Sequence, residues 1–193
     1  MVSTGGATDS PRWRAFAGRR SVNDVGRVLA RWRVTLGFVV AALVLVFAAP
    51  TWTTWRDGLV VAMVGQAIRV WAAGHLEKSR EVTRSGPYRW TRHPLYLGSS
   101  LIAVGVMITA HSLVVAVAGS VYMVATISAA IRTEEAFLRQ AFGDTYDRYQ
   151  RAEAEPMVRR FSVSRAVRNR EYRAIAGLVG GFALLALKVM LSI

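Results

Sequence analysis

The feature that most constrains this chain is the grouping of its apolar residues into five long blocks, with charge crowded between them. The blocks run roughly over residues 34–49, 58–74, 95–110, 112–131 and 174–193. A soluble domain spreads its apolar residues through half-polar, periodic segments. Here each block is nearly continuous and about 16–20 residues long, where a helix needs roughly 20 to cross a bilayer core. Trp32 before the first block, and Trp52 and Trp55 after it, extend it at the interface. A membrane barrel would alternate apolar and polar residues, which these blocks do not. The expected fold class is all-α: a polytopic integral membrane protein with about five transmembrane helices.

Charge placement supplies the orientation. Residues 1–33 hold seven Arg, residues 75–94 five Lys or Arg, and residues 132–173 ten, so three segments carry 22 of the 25 basic residues. With five spans these segments share one side, and the positive-inside rule puts that side and the N-terminus in the cytosol. The net charge of +13 then reads as loops facing anionic lipid, not as a nucleic-acid surface. The chain has no Cys, which excludes disulfides, thiolate metal sites and a cysteine nucleophile. Its three His (75, 93 and 111) form no clustered ligand set, so no metal is expected. The first 33 residues are polar and Arg-rich, and no cleavable signal peptide is expected there. The organisation expected is a basic cytosolic segment at 1–33 with an interfacial helix over about 22–32, a membrane core at 34–161, and a basic linker with the fifth span at 162–193.

The third and fourth blocks are separated by little more than His111, which predicts a tight antiparallel hairpin with His111 in the turn. The fourth helix should continue past the bilayer, because Ile131, Phe137, Leu138 and Phe142 keep helical spacing, and Gly143 suits its cap. Just before the third block stands the densest polar stretch, Ser85-Gly86-Pro87-Tyr88-Arg89-Trp90-Thr91-Arg92-His93-Pro94-Leu95-Tyr96-Leu97-Gly98. Two prolines and a glycine forbid a regular helix through 85–94, while Pro94 suits the first position of the helix that follows. His93 then falls at the N-cap, and the free N–H groups after it make an anion site. Tyr88, Trp90 and Tyr96 add faces that attract cations. An anion site beside aromatic faces suits a zwitterion that also carries a sulfonium; the plainer reading of the same residues is an interfacial belt.

The order of these residues resembles the integral-membrane methyltransferases of the isoprenylcysteine carboxyl methyltransferase and phospholipid methyltransferase superfamily. The resemblance rests on Gly86-Pro87-Tyr88, then Arg92-His93-Pro94-Leu95-Tyr96-Leu97-Gly98 opening a hairpin, then Glu134-Glu135 after it. Phe142-Gly143-Asp144-Thr145-Tyr146-Asp147-Arg148-Tyr149 and Val158-Arg159-Arg160-Phe161 follow in the family's order, so the likeness spans about 58–161. It implies a pocket for S-adenosylmethionine at the cytosolic end of the hairpin. Carried over position by position, the cofactor would touch Arg80, Glu81, Val82 and Thr83, then Tyr88, then His93, Pro94, Leu95 and Tyr96, with Glu134 or Glu135 closing the site. Glu134 is the favoured closing residue, placed to accept from the cofactor's ribose hydroxyls or ammonium. Arg132 is the nearest match to the family's acceptor-orienting arginine, at an offset from the Glu pair that differs from the animal enzymes. Without the motif, Glu134-Glu135 reads as a solvated helix face.

Arg69 lies inside the second block, where an ionisable residue faces protein or water, and it has two readings: acceptor contact or structural pairing. Lys188, in the last block, is expected to reach for the outer surface. The function implied is transfer of a methyl group from S-adenosylmethionine to a lipophilic acceptor, an isoprenylcysteine-type carboxylate or a lipid, at the cytoplasmic face of the inner or plasma membrane. Two other classes compete: an NADPH-dependent sterol-type membrane reductase, and a lipid-binding membrane protein without catalysis.

Overall fold

The computed structural model describes residues 35–191 other than 79 and 156. The interfacial helix expected over 22–32, and the seven N-terminal arginines, lie outside the described residues. The chain divides into two compact units, Met1–Val39 and Val40–Ile193. Apart from residues 35–39, every described helix lies in the second unit.

Among the described residues all regular structure is helical, with no strand. In chain order the elements are α1 (Thr35–Phe47), α2 (Trp52–Ala73), a 3₁₀ turn (Gly86–Arg89), α3 (Pro94–Ala110), α4 (Leu113–Phe142), α5 (Asp144–Gln150), α6 (Val163–Arg168) and α7 (Glu171–Leu191). Two of them, α4 and α7, are long and apolar enough to cross a membrane, and α1 and α3 are apolar but shorter. On α4, Leu113, Val117, Val121 and Val124 are exposed at helical spacing. A stripe of that kind suits lipid rather than water.

Local chemistry sets the helix limits. α2 begins at Trp52, ahead of its apolar block, because Thr51 caps it: the Thr54 N–H donates to Thr51 Oγ1 (3.2 Å) and the Thr51 N–H to Thr54 Oγ1 (3.0 Å). His93 and Pro94 open α3 as N-cap and first residue. His111 ends α3 in the left-handed region (φ 46°), and α4 starts two residues later, which makes the tight hairpin. Gly143, at φ 47°, stops α4.

Packing begins with α2 against α3. A Cβ on Gly65 would lie 2.6 Å from the Gly98 carbonyl, so the two backbones touch there; Gly58 and Gly105 make a second close approach one to two turns away. Small residues at such crossings let apolar helices gain dispersion and Cα–H contacts where lipid offers no hydrophobic drive.

At the Ala110 end of this pair, Ala48, Ala110, Val115 and Leu185 form a core that joins the chain after α1 to α3, α4 and α7. The Trp55 Nε1–H donates to the Phe182 carbonyl at 2.9 Å. Lys188 Nζ donates to the carbonyls of Leu45 (2.6 Å) and Val46 (3.2 Å), capping the last turn of α1. Lys188 is half-exposed, so its ammonium meets these carbonyls at the molecule's surface.

At the Pro94 end lies a buried polar group. The Arg69 guanidinium meets the Glu171 carboxylate through Nε (2.8 Å) and Nη2 (3.0 Å), and Gln66 Nε2 donates to the same carboxylate at 2.9 Å. Arg69 also reaches the hydroxyl of Ser99. Pairing is thus the arrangement in which Arg69 stands. The partner is the first residue of α7, which begins at Glu171 rather than at 174. Beyond α2, Asn169 Nδ2 donates to the carbonyls of Ala73 and Leu76 (both 2.9 Å), and Arg165 Nε to that of Gly74 (2.8 Å). These bonds tie the α6–α7 corner to the open end of α2.

Candidate functional site

The motif residues converge at the Pro94 end of the α3–α4 hairpin. At the start of α3, His93 Nε2 lies 3.0 Å from Glu135 Oε1 on α4, and Arg92 Nη1 approaches the same oxygen at 3.7 Å. Both His93 and Glu135 are largely shielded, and the imidazole packs at 5.8 Å from the Tyr96 ring. A histidine and a carboxylate 42 residues apart thus join the two arms of the hairpin. Glu134, the neighbour of Glu135, makes no hydrogen bond or ion pair among the described residues, and it is half-buried.

Tyr88 is the inner residue of the 3₁₀ turn. It is buried, and burial first, then the nearby Glu134 charge, pushes its phenol well above the ordinary range. Tyr149, on α5, donates its hydroxyl to the Tyr88 carbonyl at 2.7 Å, and burial pushes the Tyr149 phenol up to about 12. Tyr146, one turn earlier, is buried with its hydroxyl unpartnered; burial raises its phenol, and the Glu135 charge adds to that. Tyr88, Tyr146 and Tyr149 therefore stay neutral and act as hydrogen-bonding groups.

A cavity of about 420 Å³ opens between the Tyr88 segment and the end of α5, with Arg84, Tyr88, Trp90, Arg92 and Tyr149 among its walls. The Nε–H of Arg84 is buried and has no acceptor. Arginine donors, aromatic faces and a volume in the range of ligand clefts, about 300–1,000 Å³, suit a zwitterion with an adenine-sized ring. The residues present thus fit S-adenosylmethionine: a carboxylate would satisfy Arg84, and the ring faces of Tyr88 and Trp90 would meet a sulfonium.

Of the residues singled out from the sequence, Tyr88 lines this cavity, whereas Arg80, Glu81, Val82, Thr83, His93, Pro94, Leu95, Tyr96, Glu134 and Glu135 are not among its walls. Val82 and Thr83 are buried in the segment between α2 and the 3₁₀ turn, and Pro94 at the head of α3. Glu81 is held by Arg159 (Nη1–Oε1 2.6 Å, Nη2–Oε2 2.8 Å), whose guanidinium it raises further, and Thr83 Oγ1 accepts from the Glu77 N–H at 3.2 Å. Arg80 is exposed and only approaches Glu77, at 3.9 Å. Arg132 is exposed and makes no ion pair among the described residues. Sequence reasoning missed Arg84 and Tyr149 as cavity residues and Gln66, Ser99 and Glu171 as partners of Arg69. Tyr149 stood in the quoted motif, and its place there was a signal; Arg84 offered none.

A second cavity, about 280 Å³, adjoins the first across Arg89 and Trp90, which line both. Its other walls include Trp71, His75, Gly86 and Arg159.

Comparison with known proteins identifies the family. The model of the phospholipid methyltransferase family matches residues 32–145. A probable protein-S-isoprenylcysteine O-methyltransferase of Oryza sativa subsp. indica is 31% identical over 153 residues, covering 70% of this chain and 80% of the rice protein. The cobalt-zinc-cadmium resistance protein CzcN of Cupriavidus metallidurans is 34% identical over 120 residues, 58% of this chain. The chain spans 55% of the length of that bacterial relative. A protein-S-isoprenylcysteine O-methyltransferase of Schizosaccharomyces pombe is 30% identical over 91 residues, 47% of this chain and 39% of its own length. No solved structure matches the chain significantly.

Proposed function

The chain belongs to the phospholipid methyltransferase family, a membrane methyltransferase by that membership, and from this premise we propose that it moves a methyl group from S-adenosylmethionine to a lipophilic acceptor at the cytoplasmic membrane face. The observation that carries the proposal is the His93–Glu135 hydrogen bond, which closes the Arg-His-Pro segment onto the Glu pair beside Tyr88. It sets the two motif segments of the hairpin at one end, next to a cavity that fits the cofactor.

In this reading α1, α2, α3, α4 and α7 are five spans with the N-terminus in the cytosol. Support comes from the 22 basic residues gathered on the Pro94 side of such a topology. Lys188, whose ammonium is spent on α1 carbonyls, falls at the opposite end. Residues 34–161 form the catalytic core, and residues 162–193 brace it through the bonds from Arg165, Asn169 and Glu171.

S-adenosylmethionine, when bound, supplies a methyl group on a sulfonium that a nucleophile displaces in line. The protein's part is positioning and exclusion of water. Arg84 would hold the carboxylate end, and the rings of Tyr88 and Trp90 the cationic centre. His93 and the first turn of α3, fixed by Glu135, would frame the site beside them. Glu134, an acceptor without a partner among the described residues, would take the ribose hydroxyls or the ammonium. Arg132, exposed on α4, would be available to the polar end of the acceptor.

The metals named for the bacterial resistance relative find no group of three His, Asp or Glu side chains among the described residues. Methyl-labelled S-adenosylmethionine, incubated with the purified protein and a lipid extract or a prenylated cysteine, tests the proposal. Labelled lipid-phase product, lost in Glu134→Ala, is expected. Absence of transfer to every acceptor, with unmethylated cofactor product also absent, would overturn it.

A further inference from the structure

The 280 Å³ cavity carries an inference about the acceptor, and it rests on the methyltransferase reading above. His75 lies one residue past the cap of α2, is 5% exposed, and lines this cavity. Its Nδ1 is 3.0 Å from the Trp71 carbonyl oxygen, which only accepts, so Nδ1 carries the proton. In the neutral ring Nε2 is then a bare lone pair, and it makes no hydrogen bond among the described residues. The ring is held against the Gly86 backbone: a Cβ at Gly86 would lie 2.6 Å from the His75 Cγ, and Gly86 itself sits at φ 57°. Glycine is required there twice, for the backbone and for the imidazole.

We propose that this cavity receives the nucleophilic end of the acceptor, that His75 Nε2 takes its proton, and that the acceptor is a lipophilic phenol. Each part follows from a wall of the cavity. Arg89 and Trp90 line both cavities, so a group seated beside His75 is next to the site read as the cofactor's. Imidazole is the side chain suited to holding and releasing a proton near neutral pH. A carboxylate acceptor is already deprotonated and gives such a base nothing to do.

Charge narrows the choice further. Arg159 is matched by Glu81, but Arg89 makes no ion pair among the described residues, and an unmatched cation repels an ammonium acceptor while stabilising a forming phenolate. Trp71 and Trp90, 5.4 Å apart, offer flat walls to an aromatic ring. In the step, the phenol O–H proton passes to Nε2 and the oxygen bonds to the methyl carbon. The methyl–sulfur bond of the sulfonium donor breaks with its electron pair left on sulfur, and the imidazolium later returns the proton to water.

The test is nitrogen NMR of the full chain in detergent, with ¹⁵N-labelled histidine and no cofactor. Three histidines give three sets of ring signals, and His75→Gln identifies one set. The expected result is a proton on Nδ1 and none on Nε2 for His75, and a His75 shift on adding 4-dodecylphenol that 4-dodecylanisole does not cause. Trp90→Ala, at an exposed position, should weaken that response without unfolding the protein. A proton found on Nε2, or a His75 signal unmoved by the phenol, overturns the proposal. A response to dodecanethiol alone replaces the phenol with a thiol and also overturns it. With cofactor, phenol methylation should fall about 100-fold or more in His75→Gln while S-adenosylmethionine affinity is kept. Equal rates in the variant overturn the role of His75. Failure of the wild type to bind S-adenosylmethionine sinks the methyltransferase reading instead, and the cofactor-free NMR separates the two.

Discussion

Arg69 and Glu171 face each other through two nitrogen–oxygen contacts, 2.8 and 3.0 Å, although 102 residues separate them. The pair fastens the start of α7 to the last third of α2. Both groups are shielded, Glu171 nearly completely, so neither can be removed without leaving the other exposed to a poor solvent.

Glu171→Ala should therefore destabilise the protein by about 3 kcal/mol, the loss usual for a buried charge stripped of its partner. The double change Arg69→Met with Glu171→Leu should recover most of that, because it removes both charges. Thermal unfolding in one detergent, wild type beside the single and double variants, checks both statements. Equal losses in single and double variants would show that the pair does not act as a unit.

Gly65→Ala should be worse than its size suggests. The added Cβ would lie 2.6 Å from the Gly98 carbonyl and 2.9 Å from the Ile102 nitrogen, both backbone atoms that cannot rotate away. Overpacking of this kind costs about 1–3 kcal/mol, and here it forces α2 and α3 apart. Gly177→Ala, on α7, meets nothing within 4 Å and serves as the control. Yield of monodisperse protein should drop for the first and hold for the second.

Alkali should unfold the protein ahead of any general loss of charge. Burial raises the Tyr149 phenol from its ordinary value of 10.0 to about 12, and Tyr88 lies above that. The folded state thus keeps protons that the unfolded chain gives up. The contribution is intact below pH 10 and is lost as pH rises toward 12. Midpoints of unfolding measured from pH 8 to 11 should be flat at first and then fall, less steeply in Tyr149→Phe. That variant also loses the bond to the Tyr88 carbonyl, worth about 1 kcal/mol at neutral pH.

The two adjacent glutamates should part company. Glu135 supports His93 and Arg92, so Glu135→Ala should lower stability by about 1–3 kcal/mol. Glu134 has no hydrogen-bond or ion-pair partner among the described residues, so Glu134→Ala should leave the unfolding midpoint in place and weaken S-adenosylmethionine at least tenfold.

Legibility in the sequence depended on whether the signal was local. Pro94 and His93 marked the head of α3, and Gly143 the end of α4, because a missing N–H and a positive φ are properties of one residue and its neighbours. The start of α2 was misjudged by six residues, since apolar counting passes over Trp52–Asp57, a polar turn that the Thr51 capping box secures. Arg69 announced that it needed a partner, but nothing near it named Glu171. The cavity residues divide in the same way: Tyr149 could be read from its place in a motif, whereas Arg84 joins the site only through the fold, which sets it in one cavity wall with Tyr149, 65 residues on in the chain.

The most direct measurement is a calorimetric titration of the intact chain in detergent with S-adenosylmethionine and S-adenosylhomocysteine, beside Glu134→Ala and with NADPH as a third ligand. One site is expected for each adenosyl ligand, weakened in the variant at an unchanged unfolding midpoint, with no binding of NADPH. Binding of NADPH alone, or of none of the three by folded protein, would contradict the methyltransferase assignment.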